Sequence, residues 1–423
     1  MTILIPAAAL LGLAAPALAG AVVPAVTQET IPVDGTLRNA DGTFLSGVTV
    51  EALDSGGRQV DQTRTDAQGR WELAVPAAGT YTFRIDPESL PPGTELLQGE
   101  VTRDIAEDRL SVVIFRFGEE GEGLDTSTAS QVLRLLVDGI RFGLVIAITA
   151  VGLSLIFGTT GLTNFSHGEI VTIGAVLAWT VNVTLGVQLI WATLIAIVLG
   201  AGFGALNELG LWRPLRRRRV GLIAQLVVSI GLGIALRYAV LIFFGGRSEP
   251  FVDYTSQIAR SYGPIALTDK DLTTIIVSIA VMIGIALLLQ RTRIGKAMRA
   301  VADNRDLAAS SGIDVDRVVL FVWMLGGGLA TLGGVLFALS ELSSTVYWEM
   351  GFRLLLLMFA GVILGGLGTA YGALLGCLIV GVVVQLSTLV LPVDLKYMGG
   401  LAVLIVILVF RPQGLLGSRA RIG

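Results

Sequence analysis

Val132–Phe157 reads VLRLLVDGIRFGLVIAITAVGLSLIF, and the chain changes solvent where this run begins. Upstream, Val33–Phe117 alternates polar and apolar residues as short half-buried strands do. Downstream, apolar runs recur: Ile170–Val187, Leu189–Trp212, Leu222–Phe244, Leu272–Leu289, Val318–Leu339, Leu354–Leu391 and Met398–Phe410. Runs of this kind cross a ~30 Å hydrocarbon layer as helices. They lack the period-2 alternation of barrel strands, so backbone groups in lipid must be satisfied within helices. With two passes in Leu354–Leu391, the expectation is a polytopic α-helical membrane protein of about nine spans, preceded by a small β-sandwich.

Composition agrees. Apolar residues are 53% of the chain, charged ones 15%, and mean hydropathy is +0.76. Soluble domains carry about a quarter charged residues, so a large soluble helical protein is excluded. Much of the glycine falls in apolar segments, where it permits close helix contacts or broken helices. The dense basic run Arg216–Arg219 sits between two spans, so nucleic acid is not an expected partner. Cys377 is the sole cysteine, which excludes an internal disulfide and a cysteine metal cluster.

The N-terminus reads as an export signal over residues 1–19. Ile3–Leu18 is apolar, and Ala17-Leu18-Ala19 places cleavage before Gly20. The region before it has no Lys or Arg, so an uncleaved anchor or a misassigned start stays open. Residues 28–118 form the expected sandwich. Gly47–Ala52, Trp71–Val75 and Tyr81–Ile85 alternate, and Asp41-Gly42, Ser55-Gly56-Gly57, Asp66-Ala67-Gln68-Gly69 and Pro91-Pro92-Gly93 punctuate them. No His or Cys lies in this stretch and its acids sit in turns, so neither catalysis nor a metal, the Asp61–Asp66 turn included, is expected. Residues 119–130, rich in Gly, Glu, Ser and Thr, read as a linker.

Charge sets an expected orientation. Arg213–Arg219 holds five arginines, Arg291–Arg317 five arginines and Lys296, and the tail Arg411, Arg419 and Arg421. Basic short loops lie on the cytoplasmic side. An exported sandwich and nine spans put all three segments inside, with the C-terminus cytoplasmic. Arg141, in the first span, is expected to snorkel to the outer surface.

Three features are candidates for function. Gly161–Glu169, GLTNFSHGE, interrupts two apolar runs. It is either an interfacial loop capping the second helix or a polar break lining a pathway. His167 is the only histidine, and one His with one Glu supplies too few ligands for a metal. Thr292–Arg317 carries Ile294, Ala297, Met298 and Val301 at helical spacing, with Gly312 at a C-cap position. It reads as a short amphipathic helix whose alanines (Ala300, Ala302, Ala308, Ala309) suit docking on another protein. Gly326-Gly327-Gly328, Gly333-Gly334 and the glycines from Gly361 to Gly376 serve either tight helix packing or a hinge.

The residues from 131 to 417 resemble the integral-membrane permeases of branched-chain (hydrophobic) amino acid ABC importers. The likeness rests on Gly161–Glu169, Arg213-Pro214-Leu215-Arg216, "RTRIGKAMRAVADN…AASSGI" and Arg411–Leu416, in the family's order. Ser166 departs from it, the family more often having Ala there. Separately, Gly35-x-Leu37, Asp41-Gly42, Leu45, Gly47-Val48-x-Val50, Thr65-Asp66, Gly69 and Trp71 resemble the regulatory-like sandwich attached to carboxypeptidases. The permease resemblance implies a transport subunit of a bacterial inner membrane with no cofactor. Its partners would be a second homologous permease, two cytoplasmic ATPase subunits and an extracytoplasmic binding protein delivering an amino acid. It also places Asn164, Phe165, His167, Gly168 and Glu169 by the translocation path. The Arg299–Gly312 segment would be the coupling helix, with Arg299, Ala300, Asn304, Ala308, Ala309 and Gly312 meeting the ATPase and Ala308 seated in its groove. No Gly-x-x-x-x-Gly-Lys-Ser/Thr loop occurs, so ATP hydrolysis is expected on another subunit. Urea or short-amide importers, and a stand-alone secondary transporter, are the alternatives.

Overall fold

Alternation in the N-terminal third produces strands that bury one face, most regularly at Trp71, Leu73 and Val75 and at Tyr81, Phe83 and Ile85. The computed structural model describes residues 30–37, 39, 44–92, 94, 96–105, 115–117, 128–254, 257, 259–262, 265–392, 395–398, 401, 402, 405, 409, 414 and 415. The expected signal peptide, most of the linker, the tail arginines and most of Met398–Phe410 lie outside the described residues. The chain divides into two units, Met1–Gly121 and Glu122–Gly423.

In the first unit β1 (Ile31–Thr36) pairs antiparallel with β4 (Arg70–Val75). A second sheet has the order β3-β2-β5-β7, from β2 (Thr49–Leu53), β3 (Gln59–Arg64), β5 (Gly79–Ile85) and β7 (Glu100–Ile105). A small ladder joins β6 (Leu96–Gln98) to β8 (Arg116–Phe117). Val33, Val50, Trp71, Leu73, Phe83 and Ile85 fill one core, and the Trp71 and Phe83 rings, 6.2 Å apart, join the two sheets. Turn chemistry follows the sequence. Asp66 Oδ1 accepts from the N–H groups of Gln68 and Arg70, and Gly69 takes φ +67°. Asp61 lies in β3 rather than in a turn, and its Oδ2 accepts from Ala74 N at 2.8 Å, so Asp61 and Asp66 both accept from backbone N–H groups.

The second unit is helical: α1 (Thr128–Thr160), α2 (His167–Trp179), α3 (Leu189–Asn207), α4 (Arg213–Arg217), α5 (Leu222–Phe244), α6 (Asp269–Arg291), α7 (Arg293–Asp303), α8 (Arg305–Ser310), α9 (Val315–Glu341), α10 (Met350–Gly365) and α11 (Ala370–Ser387). Among the described residues six helices are long and apolar enough to cross a membrane. Here α3 and α4 count as one, Leu189–Arg217, joined by a π-helical turn. Arg213–Arg216 is thus helix rather than loop. Short extended pairs lie between the helices: β9 (Glu249–Pro250) with β12 (Thr345–Val346), and β10 (Arg260–Tyr262) with β11 (Ile265–Leu267). The protein is therefore a multi-span α-helical membrane protein with an N-terminal β unit.

Helix α1 is the hub, buried along nearly its whole apolar length, with α9 and α11 against it. Small residues set that closeness. A Cβ at Gly143 would stand 2.8 Å from Leu378 Cα of α11, and one at Gly152 would stand 3.0 Å from Gly326 Cα of α9. The glycines of α9 lie in an unbroken helix, which favours packing over a hinge there. By contrast α3, α5 and α6 keep broad apolar faces exposed, as surfaces meeting lipid or another subunit do.

Arg141 does not snorkel. Its side chain is 10% exposed and is held by Asp271 of α6 at 2.5 Å and Glu341 of α9 at 3.0 Å. Lys396 Nζ donates to the other Glu341 oxygen at 3.1 Å. With Asp138 at 3.5 Å, three carboxylates lie within ion-pairing reach and offset the cost of burying the guanidinium.

Candidate functional site

Gly161 ends α1: its φ is +74° and its N–H donates to Phe157 O at 2.7 Å. The chain then turns on Asn164, whose Oδ1 accepts from Ser166 N at 3.1 Å and Ser166 Oγ at 2.6 Å, and α2 begins at His167. His167 Nε2 lies 3.1 Å from Thr149 O. A carbonyl only accepts, so Nε2 carries the proton. Thr149 stands well before the end of α1 at Thr160, so residues 161–166 turn back along that helix far enough for the His167 ring to reach it. α2 therefore starts deep within the helical unit.

Burial makes this costly and informative. Asn164, Ser166, His167 and Glu169 are each 0% exposed. An intramembrane ionisable group costs about 2.5–3.5 kcal/mol on an insertion scale unless it finds a partner. Glu169 finds Arg237 of α5: Nε donates to Oε1 at 2.9 Å and Nη2 at 2.7 Å. The guanidinium also lies 3.8 Å over the Phe352 ring of α10. Among the described residues, Asn164 Nδ2, His167 Nδ1 and Glu169 Oε2 are buried with no hydrogen-bond partner.

Two short helices meet here. A Cβ at Gly168 would lie 2.6 Å from Gly351 O, so the backbones of α2 and α10 nearly touch, and Gly351 N donates to Thr172 Oγ1 at 3.0 Å. Phe165 packs on Phe359 at 4.8 Å. Helix α5 leans on the same segment, with Phe165 N donating to Ser229 Oγ at 3.1 Å. The structure thus brings together all five residues expected on a path: Asn164, Phe165, His167, Gly168 and Glu169. Sequence reasoning missed Arg237, although it is the only charge in the run Leu222–Phe244 and that isolation was the signal.

The second candidate is α7–α8. Thr292 caps α7 through Gly295 N at 3.0 Å, and Met298 and Val301 are buried on its inner face, as the spacing required. Asn304 Oδ1 caps α8 through Leu307 N at 2.9 Å, and Gly312 closes it at φ +84°. The expectation that Ala308 faces a partner is corrected. It is 4% exposed and belongs to the chain's own core, because Ile313 N returns to its carbonyl and folds the chain over it. Arg299, Asn304, Ala309 and Gly312 are exposed and Ala300 is half-buried. Leu307, 64% exposed, is the large apolar side chain that α8 presents outward.

Comparison with known proteins places both segments in one family. Residues 135–410 match the family model described as branched-chain amino acid transport system / permease component, and residues 32–105 match the carboxypeptidase regulatory-like domain. The high-affinity branched-chain amino acid transport system permease protein LivH of Escherichia coli is 29% identical, over 67% of this chain and 95% of its own. LivH of Salmonella typhimurium gives the same values. The corresponding protein BraD of Pseudomonas aeruginosa is 28% identical, over 67% of this chain and 95% of its own.

Proposed function

The chain belongs to the permease-component family of branched-chain amino acid transport systems, and on that premise we propose that it is the membrane-spanning subunit of an ATP-driven importer of branched-chain amino acids. It is a transport subunit rather than an enzyme, fused to a carboxypeptidase regulatory-like domain. Permeases of this family work with a paired permease, ATPase subunits and a binding protein, and this chain's partners are of those kinds. The family match over residues 135–410 carries the reading. The buried polar break beside Arg237 supports it physically.

The path runs past Asn164, Phe165, His167, Gly168 and Glu169, with Arg237 and the face of α10 opposite. Exposed Arg299, Asn304, Leu307, Ala309 and Gly312 of α7–α8 meet an ATPase and transmit its closure. The basic segments lie in the cytoplasm and the sandwich outside the inner membrane, where it helps capture the binding protein.

Reconstitution tests the whole. Proteoliposomes holding this chain, its paired permease, ATPases and binding protein should take up leucine, isoleucine or valine only with ATP. Uptake driven by an ion gradient without ATPase or binding protein would overturn the assignment to an ABC importer. Competition by urea but not by leucine would move the substrate to the amide class.

A further inference from the structure

A basic cavity at one end of the helical unit has no part in the path described above. It is open to solvent and holds about 300 Å³. Arg213, Arg216, Arg217, Arg219 and Arg305 line it, and Asp316 is its one carboxylate. Arg213 and Arg217 share Asp316, at 2.7 and 3.4 Å, while Arg216 turns back to Glu208. Arg219 and Arg305 have no carboxylate within ion-pairing distance among the described residues. The cavity wall therefore carries two guanidinium groups, Arg219 and Arg305, beyond those paired with its carboxylate and with Glu208.

Arg219 is held there against its own preference. Its φ is +54°, its N–H donates to Arg216 O at 2.9 Å, and Val220 N donates to Leu215 O at 3.1 Å. This is the left-handed position that closes a helix and that glycine ordinarily takes.

The cavity wall indicates what that ligand is. It continues from Arg219 through Val220 to Leu222, the first residue of α5. Leu222 is 53% exposed, Ile223 83%, and the apolar outer face of α5 runs on from them. A soluble anion would use the arginines alone. An anionic phospholipid would use both surfaces, its phosphate in the guanidinium forks and its acyl chain along α5. We propose that this cavity is a headgroup site for an anionic phospholipid of the phosphatidylglycerol type. Arg305 opens α8, so a bound headgroup bridges the α4–α5 turn to the α7–α8 pair and steadies the latter.

Thermal unfolding of the purified full-length protein in neutral detergent tests this, with phosphatidylglycerol, phosphatidylcholine or inorganic phosphate added. Phosphatidylglycerol should raise the midpoint by several degrees and phosphatidylcholine should not. Its apparent affinity should fall roughly fivefold for each guanidinium removed in Arg219→Gln and Arg305→Gln. Arg219→Gly suits the backbone there, so it should unfold no earlier than wild type without lipid while still losing lipid response. Arg260→Gln, away from the cavity, should respond like wild type. An equal response in Arg219→Gly and wild type, or none in wild type, would overturn the proposal. So would inorganic phosphate matching the lipid at equal concentration, which would make the ligand a soluble anion. Loss of ATPase co-purification in Arg219→Gln without any lipid response in wild type would assign the cavity to an acidic protein segment instead.

Discussion

Arg237 donates twice to one oxygen of Glu169, and this single carboxylate oxygen ties α5 to the first turn of α2. The other oxygen is buried without a partner among the described residues. Removing one member of a buried pair strands the other and costs about 3–5 kcal/mol, whereas removing both costs less. Glu169→Ala and Arg237→Ala should therefore each lower the unfolding midpoint in detergent, and the double variant should recover part of the loss. A coupling of about 0.5–3 kcal/mol is expected from the cycle. Strict additivity would show that the pair does not hold α5 in place.

Crowding at the α2–α10 crossing gives a second test. Gly168→Ala puts a methyl against the Gly351 carbonyl, backbone that cannot swing aside, and should cost about 1–3 kcal/mol. Gly202, on α3, has nothing within 4 Å of an added Cβ. Gly202→Ala should instead gain up to about 1 kcal/mol of helix propensity. Equal effects of the two substitutions would mean that the crossing is looser than described.

Helix existence was legible because apolar length and β alternation are local properties. The predicted runs on described residues are largely helical, although α2 and α10 are not among the six helices long and apolar enough to cross a membrane, and Trp71, Leu73 and Val75 alternate inward as read. Depth was not legible. GLTNFSHGE looks the same whether it sits at an interface or doubles back along α1, because only the Thr149–His167 contact decides it. Pairing of charges was hidden for a related reason: Arg141 and Asp271, or Glu169 and Arg237, are distant in sequence. Ala308 was misread because small size marks a contact without saying which partner supplies the other half.

That last point separates two neighbours. Ala308→Trp should overpack the chain's own core by about 1–3 kcal/mol and lower yield in the membrane. Ala309→Trp, on an exposed position, should leave the unfolding midpoint within about 0.5 kcal/mol of wild type. It should nevertheless depress substrate-stimulated ATP hydrolysis in the reconstituted complex. Normal hydrolysis with Ala309→Trp and with Leu307→Glu would remove α8 from the coupling surface.

Orientation follows from single-cysteine labelling. Cys377 is fully buried, so Cys377→Ala clears the background at small cost, and the native thiol itself should resist reagent while the protein is folded. In that background a membrane-impermeant maleimide should reach Val60→Cys in intact spheroplasts and Arg217→Cys only after permeabilisation. Labelling of position 217 from outside would reverse the topology drawn from the arginine segments.

The sandwich has its own core, and Trp71 is its centre. The ring lies 6.2 Å from Phe83 and 6.3 Å from Phe115, and it covers Gly35 so closely that a Cβ there would stand 2.6 Å from it. Truncating a buried aromatic of this kind costs about 3–5 kcal/mol, most of the stability of a domain this small. Trp71→Ala should therefore unfold the sandwich, read as new protease cleavage within residues 33–105, while the helical unit keeps its own core of separate residues. Assembly with the ATPases should persist. Transport should weaken at limiting binding protein and recover when that protein is in excess, because capture rather than translocation is impaired. Unchanged transport at limiting binding protein, with the sandwich shown to be unfolded, would reject a docking role for it.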